Sequence, residues 1–189
     1  PDGKYLVFSS NRPGGFGEFD LWISERVHTA TDPNPKWSRP INIGSKVNTA
    51  SNEIMPYFHF DNLTLYFSSD RGDEYHKYNF FGIDMDEQFE KETLINKSNP
   101  ANTPNKAIVW KEVYRLPKPF NSSMDDEGIS LTHDGIWAYF SSNRDGGEGL
   151  FDIYRAKVPE EMRKPYLFDL TGLVIDGSED VMIGIASSI

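Results

Sequence analysis

Three features of this 189-residue sequence predict an all-β fold made of repeated antiparallel sheets. An eleven-residue segment occurs three times without a gap, and internal repetition marks architectures built from stacked units. Each copy places Asp-Gly or Asp-Asn between two short apolar runs, which is typical of a β-hairpin with a two-residue turn of the primed type. Helical patterning is scarce, and its two candidates are residues 84–93 and a turn that begins at Pro159.

The copies of the repeat begin at positions 2, 61 and 134, so they are 59 and 73 residues apart. Six residues after its first Asp, each copy has Phe-Ser-Ser, then Asn or Asp, and then Arg. The shared positions are Asp2, Asp61 and Asp134, then Phe8, Phe67 and Phe140, and finally Arg12, Arg71 and Arg144.

A second repeated block fixes the phase of the repeat. Trp37 and Trp110 each lie eleven residues before an Asn, Asn48 or Asn121, which in turn precedes the next Asp by thirteen residues. The additional 14 residues of the longer repeat therefore lie between the Arg of the second copy and Trp110. The polar residues 96–105 in this interval are predicted to be an extended loop.

Each unit is predicted to contain four strands. The first strand is predicted at 55–60 and 128–132, the second at 63–69 and 136–142, the third at 19–23 and 151–154, and the fourth near 37–43. A Gly-rich bend precedes the third strand, whose Asp20 and Asp152 lie eight residues after the repeated Arg. The second copy lacks this bend, and its third strand is hard to place between residues 79 and 85. Four antiparallel strands repeated around an axis form a β-propeller blade, so blades of a partial propeller are the predicted fold.

Composition excludes several other classes of protein. The 13 Phe, 9 Tyr and 4 Trp are enough to build a core, which argues against disorder. A net charge of −10 argues against binding to nucleic acid, which usually requires a basic face. The chain has no Cys, so disulfides, thiolate metal sites and Cys nucleophiles are excluded. No apolar run approaches the roughly 18 residues that a membrane helix needs.

The repeated polar residues have a functional and a structural interpretation. Arg12, Arg71 and Arg144 could form a ring of cations for an acidic ligand, or each could lock neighbouring strands through a backbone carbonyl or a carboxylate. The structural interpretation is favoured because residues shared by every unit usually serve the geometry of the unit. The repeated Asp side chains are expected to cap their own turns. The repeated aromatic residues, including Trp37 and Trp110, are expected to pack between units rather than to bind sugar.

No catalytic, cofactor or metal site is predicted from the sequence. The Gly-x-Gly segments at 15–20 and 147–152 carry Asp where a dinucleotide fingerprint requires its third Gly. The four His residues lie at unrelated repeat positions, and residues 84–87 lack the Gly and the final Glu of a calcium loop. Glu74, Glu92 and Glu112 are candidate acids for a glycoside hydrolase, but nothing distinguishes them from surface acids. A scaffold is therefore favoured over an enzyme.

The Asp-Gly, Phe-Ser-Ser-Asn-Arg, Gly-Gly and Asp-Ile-Tyr pattern resembles the TolB-like propeller repeat, and residues 1–3 have its opening Pro-Asp-Gly. The further stretch of Trp37, Pro40 and the residues 42–44 Asn-Ile-Gly is similar to repeats of OmpA-family envelope proteins, including the PorE-type accessory proteins of type IX secretion. This resemblance implies a periplasmic, non-catalytic scaffold linked to the outer membrane, which contacts other envelope or secretion proteins. It implies peptidoglycan attachment through other domains, no direct membrane span and no cofactor.

The tail is expected to belong to another domain. Residues 170–176 and 181–186 resemble the first two strands of a carboxypeptidase-regulatory-like β-sandwich, which follows the propeller in that family. The expected domains are therefore 1–164 for three propeller repeats and 165–189 for a linker and the start of the sandwich. Propellers close with 4–8 blades, so three repeats are expected to be part of a longer protein or to be covered by another chain. The alternative function is a carbohydrate- or peptide-acting propeller enzyme with its active site in other blades.

Overall fold

The computed structural model describes Gly3 and residues 5–27, 36–72, 74–86, 109–164, 174–175 and 181–182. These residues form an all-β structure of several antiparallel sheets, none of which closes on itself. The predicted turn at Pro159 is a short 3-10 helix, Glu160–Met162. The predicted helix at 84–93 is wrong at its start, because Asp84 ends a β-strand; residues 87–93 lie outside the described part.

The first sheet is centred on one long strand. Its strands are β1 (Tyr5–Ser10), β2 (Asp20–Val27), β3 (Lys36–Trp37) and β4 (Ile41–Asn42), and β1, β3 and β4 all pair with β2. The predicted fourth strand is therefore broken into two short pieces. Pro40 stands between them, and a proline interrupts a strand because it has no N–H for the ladder.

The second sheet is the most buried of the three. Its strands, in the order in which they pair, are β5 (Glu53–Phe58), β6 (Thr64–Ser69), β7 (Asn79–Asp84) and β8 (Tyr114–Arg115). Every residue of β6 is buried, and so are the first five residues of β7. The third strand that the sequence left hard to place is therefore regular, although no Gly-Gly bend precedes it.

The third sheet contains β9 (Asp126–Leu131), β10 (Trp137–Ser142) and β11 (Asp152–Lys157). Each of the three Phe-Ser-Ser segments thus lies in a sheet of its own. The second Ser of each segment pairs with the first residue of the next strand, and these pairs are Ser10 with Asp20, Ser69 with Asn79 and Ser142 with Asp152. This common register reproduces the gap-free alignment of the sequence repeats.

The sheets pack side by side in the order of the sequence, with one apolar core in each space between neighbours. The core between the first and second sheets includes Leu21, Val47 and Phe67, which are all completely buried. The core between the second and third sheets includes Phe120 and Phe140. Repeated aromatic residues therefore fill the spaces between these units, as the sequence predicts.

The hairpins that precede the second and third Phe-Ser-Ser strands differ from the predicted two-residue turn. A primed turn of that length needs a positive φ at its first central residue, and type I′ needs it at both. Asn62 and Gly135 have φ of 56° and 62°, whereas the Asp before each of them has a negative φ. The His59 N–H donates to the Thr64 carbonyl at 2.8 Å, so four residues separate the paired ends. The prediction of the turn type was wrong, although the position of the hairpin was right.

Two short strands lie in the tail, β12 (Val174–Ile175) and β13 (Val181–Met182), and they pair antiparallel with each other. They fall within the two stretches that the sequence predicted as strands. The predicted domain boundary after residue 164 lies outside the described residues and stays a prediction. Within the described ranges, no helix is long and apolar enough to cross a membrane.

Candidate functional site: the repeated arginines and the segments that contact them

The repeated Asp of the hairpin is bonded to its own turn. One oxygen of Asp61 accepts the backbone N–H groups of Leu63 and Thr64 at 2.9 and 2.8 Å, and the other accepts the Thr64 hydroxyl at 2.6 Å. Asp134 accepts the N–H of Ile136 at 2.9 Å. Asp2, the first copy, lies outside the described residues. These bonds to residues two and three positions on hold the chain in the longer turn.

Asp61 is also the most strongly perturbed acid among these turns. Burial by itself raises the pKa of Asp61, but hydrogen bonds from His59, Thr64 and Leu63 outweigh burial and hold the pKa well below its usual value. His59 lies 3.3 Å from the carboxylate and is itself buried. Asp61 therefore stabilises the folded state in its ionised form.

We expect Asp61→Ala to lower the free energy of unfolding at neutral pH by about 2 kcal/mol, because it leaves two backbone N–H groups without their acceptor. The folded pKa is depressed, so this contribution is complete above the ordinary carboxyl pKa of about 4 and is lost as pH falls through the folded pKa. Urea unfolding of both proteins should give a constant difference above pH 5 that shrinks below pH 4. A difference that grows on acidification would contradict the assignment.

The Asp at the start of the third strand closes the Gly-rich bend. In the first sheet, the Asp20 carboxylate accepts the N–H groups of Phe16 at 2.7 Å and Gly17 at 3.4 Å. In the third sheet, Asp152 accepts the N–H of Gly149 at 3.0 Å. A Cβ built on Gly147 would lie 2.0 Å from a carboxylate oxygen of Asp152. The Gly residues of this bend therefore make room for the carboxylate.

We expect Gly147→Ala to destabilise the protein by about 1–3 kcal/mol, because the methyl group displaces the Asp152 carboxylate. Gly149→Ala is the matched control, since its nearest contact would be at an ordinary 3.5 Å. Thermal unfolding followed by circular dichroism should give a lower Tm for the first variant alone. Equal Tm values for both variants would contradict this account.

The second repeated Arg joins its own strand to the segment that enters the same sheet. Arg71 Nη2 donates to the Glu53 carboxylate at 2.9 Å and to the Val47 carbonyl, and Nε donates to Ser69 Oγ at 3.1 Å. Its guanidinium lies 5.0 and 5.1 Å from the ring centroids of Phe67 and Phe81. Arg71 thus binds the segment that enters its own sheet from the first one.

The third copy repeats this arrangement. Arg144 Nη2 donates to Asp126 at 2.6 Å and to the Phe120 carbonyl at 2.6 Å, and Nε donates to Ser142 Oγ at 3.0 Å. The guanidinium stacks over Phe140 and Tyr154 at 4.8 and 5.1 Å. The two clusters share their spacing, because the carboxylate precedes each Arg by 18 residues and the carbonyl precedes it by 24.

Burial governs the electrostatics of the Arg71 cluster. The Glu53 side chain is fully buried, and desolvation raises its pKa in spite of bonds from Thr49, Arg71 and Ser69. Desolvation likewise lowers the pKa of Arg71, and the Glu53 charge opposes this effect. Each charge is therefore tolerated in the interior because the other is present.

In the first copy, the structure describes only the local part of the cluster. Arg12 Nε donates to Ser10 Oγ at 3.2 Å, and the guanidinium lies 4.8 and 5.1 Å from the rings of Phe8 and Trp22. No carboxylate among the described residues pairs with it. The three Arg residues thus occupy equivalent positions on three separate strands, each stacked on the aromatic residues of its own sheet.

A repeated Asn fastens the incoming segment to the previous sheet. Asn121 Oδ1 accepts the Phe80 N–H at 2.6 Å, and Nδ2 donates to the carbonyls of Phe80 and Leu116 at 2.9 and 2.8 Å. Asn48 makes the equivalent pair of bonds with the backbone of Leu21 at 2.8 and 2.9 Å. Their equal thirteen-residue interval before the Asp marks these two Asn residues as equivalent in the sequence, but it does not indicate their partners, which are 27 and 41 residues away.

The two repeated Trp residues pair alike but differ in exposure. Trp37 pairs with Arg26 in the first sheet, and Trp110 bridges to Met85 at the equivalent position of the second. Trp110 is buried in the core between the first two sheets, whereas Trp37 is 44% exposed. The prediction that they pack holds for Trp110, and Trp37 packs only in part.

The candidate acids that the structure describes lie at the surface. Glu74 and Glu112 are exposed, Glu112 pairs with Lys46 at 3.0 Å, and Glu92 lies outside the described residues. Among the described residues, no group of three or more His, Cys, Asp and Glu could hold a metal ion.

The comparisons with known proteins do not assign the chain to a family. No family model matches it, and a search of curated proteins gives no match.

Proposed function

We propose that this chain is part of a TolB-like β-propeller that acts as a non-catalytic scaffold in the bacterial cell envelope. In this proposal, each of the three sheets is a blade, and the tail begins a carboxypeptidase-regulatory-like domain. The protein is periplasmic and binds other envelope or type IX secretion proteins through the outer surface of its blades. Its peptidoglycan attachment comes from other domains, as in the OmpA-family proteins that its repeats resemble.

One observation carries the proposal: three sheets of equal register stand side by side, and the bonds that hold the entering strand recur at the same residue positions in the second and third sheets. Radial repetition of one supersecondary unit produces such equivalent contacts. The Glu53–Arg71 and Asp126–Arg144 pairs, at 2.9 and 2.6 Å, join the entering strand to the next strand of the same sheet in both cases.

The bonding partners of the repeated polar residues support a scaffold function. Arg71 and Arg144 have partners within the protein, and so do Asp61 and Asp134, so their identities are explained by packing and hydrogen bonding. A catalytic group needs a substrate-accessible position in addition to a perturbed pKa. The most perturbed acid, Asp61, is buried and bonded to its own turn.

The cellular part of the proposal is tested on the native full-length protein in fractionated cells. We expect immunodetection in the periplasmic and peptidoglycan-associated fractions, and formaldehyde cross-links to other envelope proteins. Recovery in the cytoplasmic fraction overturns the location and the role together.

The enzymatic alternative is tested with a panel of glycan and peptide substrates. We expect no turnover. Hydrolysis that Glu74→Gln or Glu112→Gln abolishes would favour the alternative, since these are the exposed candidate acids. Turnover that neither variant affects would also contradict the scaffold proposal, because it would indicate an enzyme whose active site lies elsewhere.

A further inference from the structure

Two Asp-Gly pairs of the structure differ in how the fold holds them. The sequence has four such pairs, which begin at residues 2, 134, 145 and 176, and the structure describes both residues of the pairs at 134 and 145. An Asp-Gly pair is prone to rearrangement, because glycine has no side chain to hinder attack by its backbone nitrogen on the preceding carboxyl group. In a folded protein, this attack depends on how firmly both groups are held.

The first pair is held by its hairpin. The Asp134 carboxylate accepts the Ile136 N–H at 2.9 Å and the Thr132 hydroxyl, and the Gly135 N–H donates to the Thr132 carbonyl at 2.8 Å. The carboxyl group and the nitrogen that would attack it are therefore both bonded to other groups. The bonds from Thr132 and Ile136 also lower the pKa of Asp134, which disfavours the protonated carboxyl group, the more reactive form.

The second pair lies in the Gly-rich bend and is not held in this way. Asp145 and Gly146 are exposed, and among the described residues neither the Asp145 carboxylate nor the Gly146 N–H has a hydrogen-bond partner. A Cβ built on Gly146 would meet nothing within 4 Å. The two reacting groups can therefore approach each other without breaking a bond or displacing a neighbouring residue.

The exposure of this bend does not depend on where the repeats end. Pro13 and Gly14 occupy the same positions in the first sheet, which packs against a following sheet. Both are exposed there as well, and Gly14 has the same φ as Gly146, 97°. In the second sheet, Gly72 directly follows the repeated Arg and is also exposed. The residues after the repeated Arg thus face solvent in all three sheets.

We propose that Asp145 is a site of spontaneous isomerisation to isoaspartate, and that the fold protects Asp134 from the same reaction. The Gly146 nitrogen attacks Cγ of the protonated Asp145 carboxyl group. The N–Cγ bond forms, and the carboxyl OH leaves together with the amide proton as water, which gives a five-membered succinimide.

Water then opens the succinimide in one of two directions. Cleavage of the bond between the ring nitrogen and Cγ returns Asp. Cleavage of the bond between the ring nitrogen and the α-carbonyl carbon leaves the main chain running through Cγ and frees an α-carboxylate, which is isoaspartate. Water is the only co-reactant, and no net change in mass results.

The site goes beyond the proposed envelope role and depends on local bonding alone. It is expected for a scaffold or an enzyme and in any compartment. The fractionation experiment therefore does not decide it, and failure of the isomerisation experiment leaves the envelope role unchanged.

The test is incubation of the folded 189-residue chain at mildly acidic pH, followed by proteolysis and mass spectrometry with electron-transfer fragmentation, which distinguishes isoaspartate from Asp in each peptide. We expect isoaspartate to form at least about tenfold faster at Asp145 than at Asp134, since release of one hydrogen bond costs about a factor of ten. A succinimide peptide, lighter by one water, should precede it at residues 145–146. Equal rates at the two sites, or no isoaspartate at Asp145, overturn the proposal.

Two controls separate the effect of the fold from that of neighbouring residues. In concentrated urea both pairs lose their bonds, so the two rates should become similar. A difference that persists in the unfolded chain overturns the proposal, because local sequence would then explain it. Asp145→Glu is the matched variant: it keeps the charge at an exposed position but would need a six-membered ring, so rearrangement of this peptide should stop while the rate at Asp134 stays the same. Rearrangement that continues at the original rate in this variant would overturn the assignment to Asp145.

Discussion

Glu53→Ala is expected to lower the free energy of unfolding by about 3–5 kcal/mol, because it leaves the Arg71 guanidinium partly buried without a counter-charge. The Glu53 carboxylate also accepts the Thr49 N–H and hydroxyl at 2.9 and 2.7 Å, so the entering strand loses its anchor at the same time. Urea denaturation followed by tryptophan fluorescence measures the change. A loss below about 1 kcal/mol would show that the pair is dispensable.

Two further variants separate the charge pair from the loss of side-chain volume. The double variant Glu53→Leu with Arg71→Met should be more stable than Glu53→Ala, because no buried charge is left unpaired. Glu112→Ala is the matched control: it breaks the Lys46–Glu112 pair at a similar N–O distance of 3.0 Å, but Glu112 is 90% exposed. We expect no measurable change in stability for this control. A double variant as unstable as the single one would contradict the electrostatic explanation.

Asn121→Ala is expected to destabilise the protein by about 3 kcal/mol, because the buried N–H of Phe80 and the carbonyl of Leu116 lose their bonds to Asn121. The Phe80 carbonyl loses one of two bonds and keeps the one from the Leu116 N–H. Asn121→Asp should be no better, although it has nearly the same shape, since it places a carboxylate oxygen against two carbonyls. Chemical denaturation of both variants measures these effects.

The pH dependence of Asn121→Asp gives a sharper result. The introduced carboxyl should have a raised folded pKa, so its protonated form can donate to one carbonyl, and stability should be lost as pH rises through that pKa. The difference from the original protein should therefore shrink on acidification. Asn11→Asp is the matched control, because Asn11 is exposed. A similar pH-dependent loss at Asn11 would contradict the role assigned to Asn121.

Local sequence patterns predicted the Phe-Ser-Ser strands well, but they predicted the position of β7 and the turn type poorly. The Phe-Ser-Ser segments lie in β6 and β10 as expected, because an apolar run next to a hairpin signal is a local feature. β7 was hard to place because its first five residues are buried and show no alternation of apolar and polar positions. The turn type was wrong because Asp61 binds N–H groups two and three residues on, which favours a longer turn.

Long-range contacts decided the roles of the repeated polar residues. The repeat marks Asn48 and Asn121 as equivalent, but only the packed sheets bring them to the backbones of Leu21 and Phe80. In the same way, the sequence left two roles open for Arg71, binding of an acidic ligand and bonding within the protein. In the structure, Arg71 bonds to the Glu53 carboxylate of the entering strand. These partners lie 18 to 41 residues away, so no local pattern identifies them.

The sequence by itself determined the repeat, the all-β class and the positions of the second and third hairpins, since these depend on neighbouring residues and on composition. Tertiary structure decided which side chains are buried and paired. Trp37 and Trp110 have the same pairing position, yet only Trp110 is enclosed by the core between two sheets. The partner of Arg71 likewise depends on tertiary structure, because the Glu53 carboxylate reaches it only through the pairing of β5 with β6.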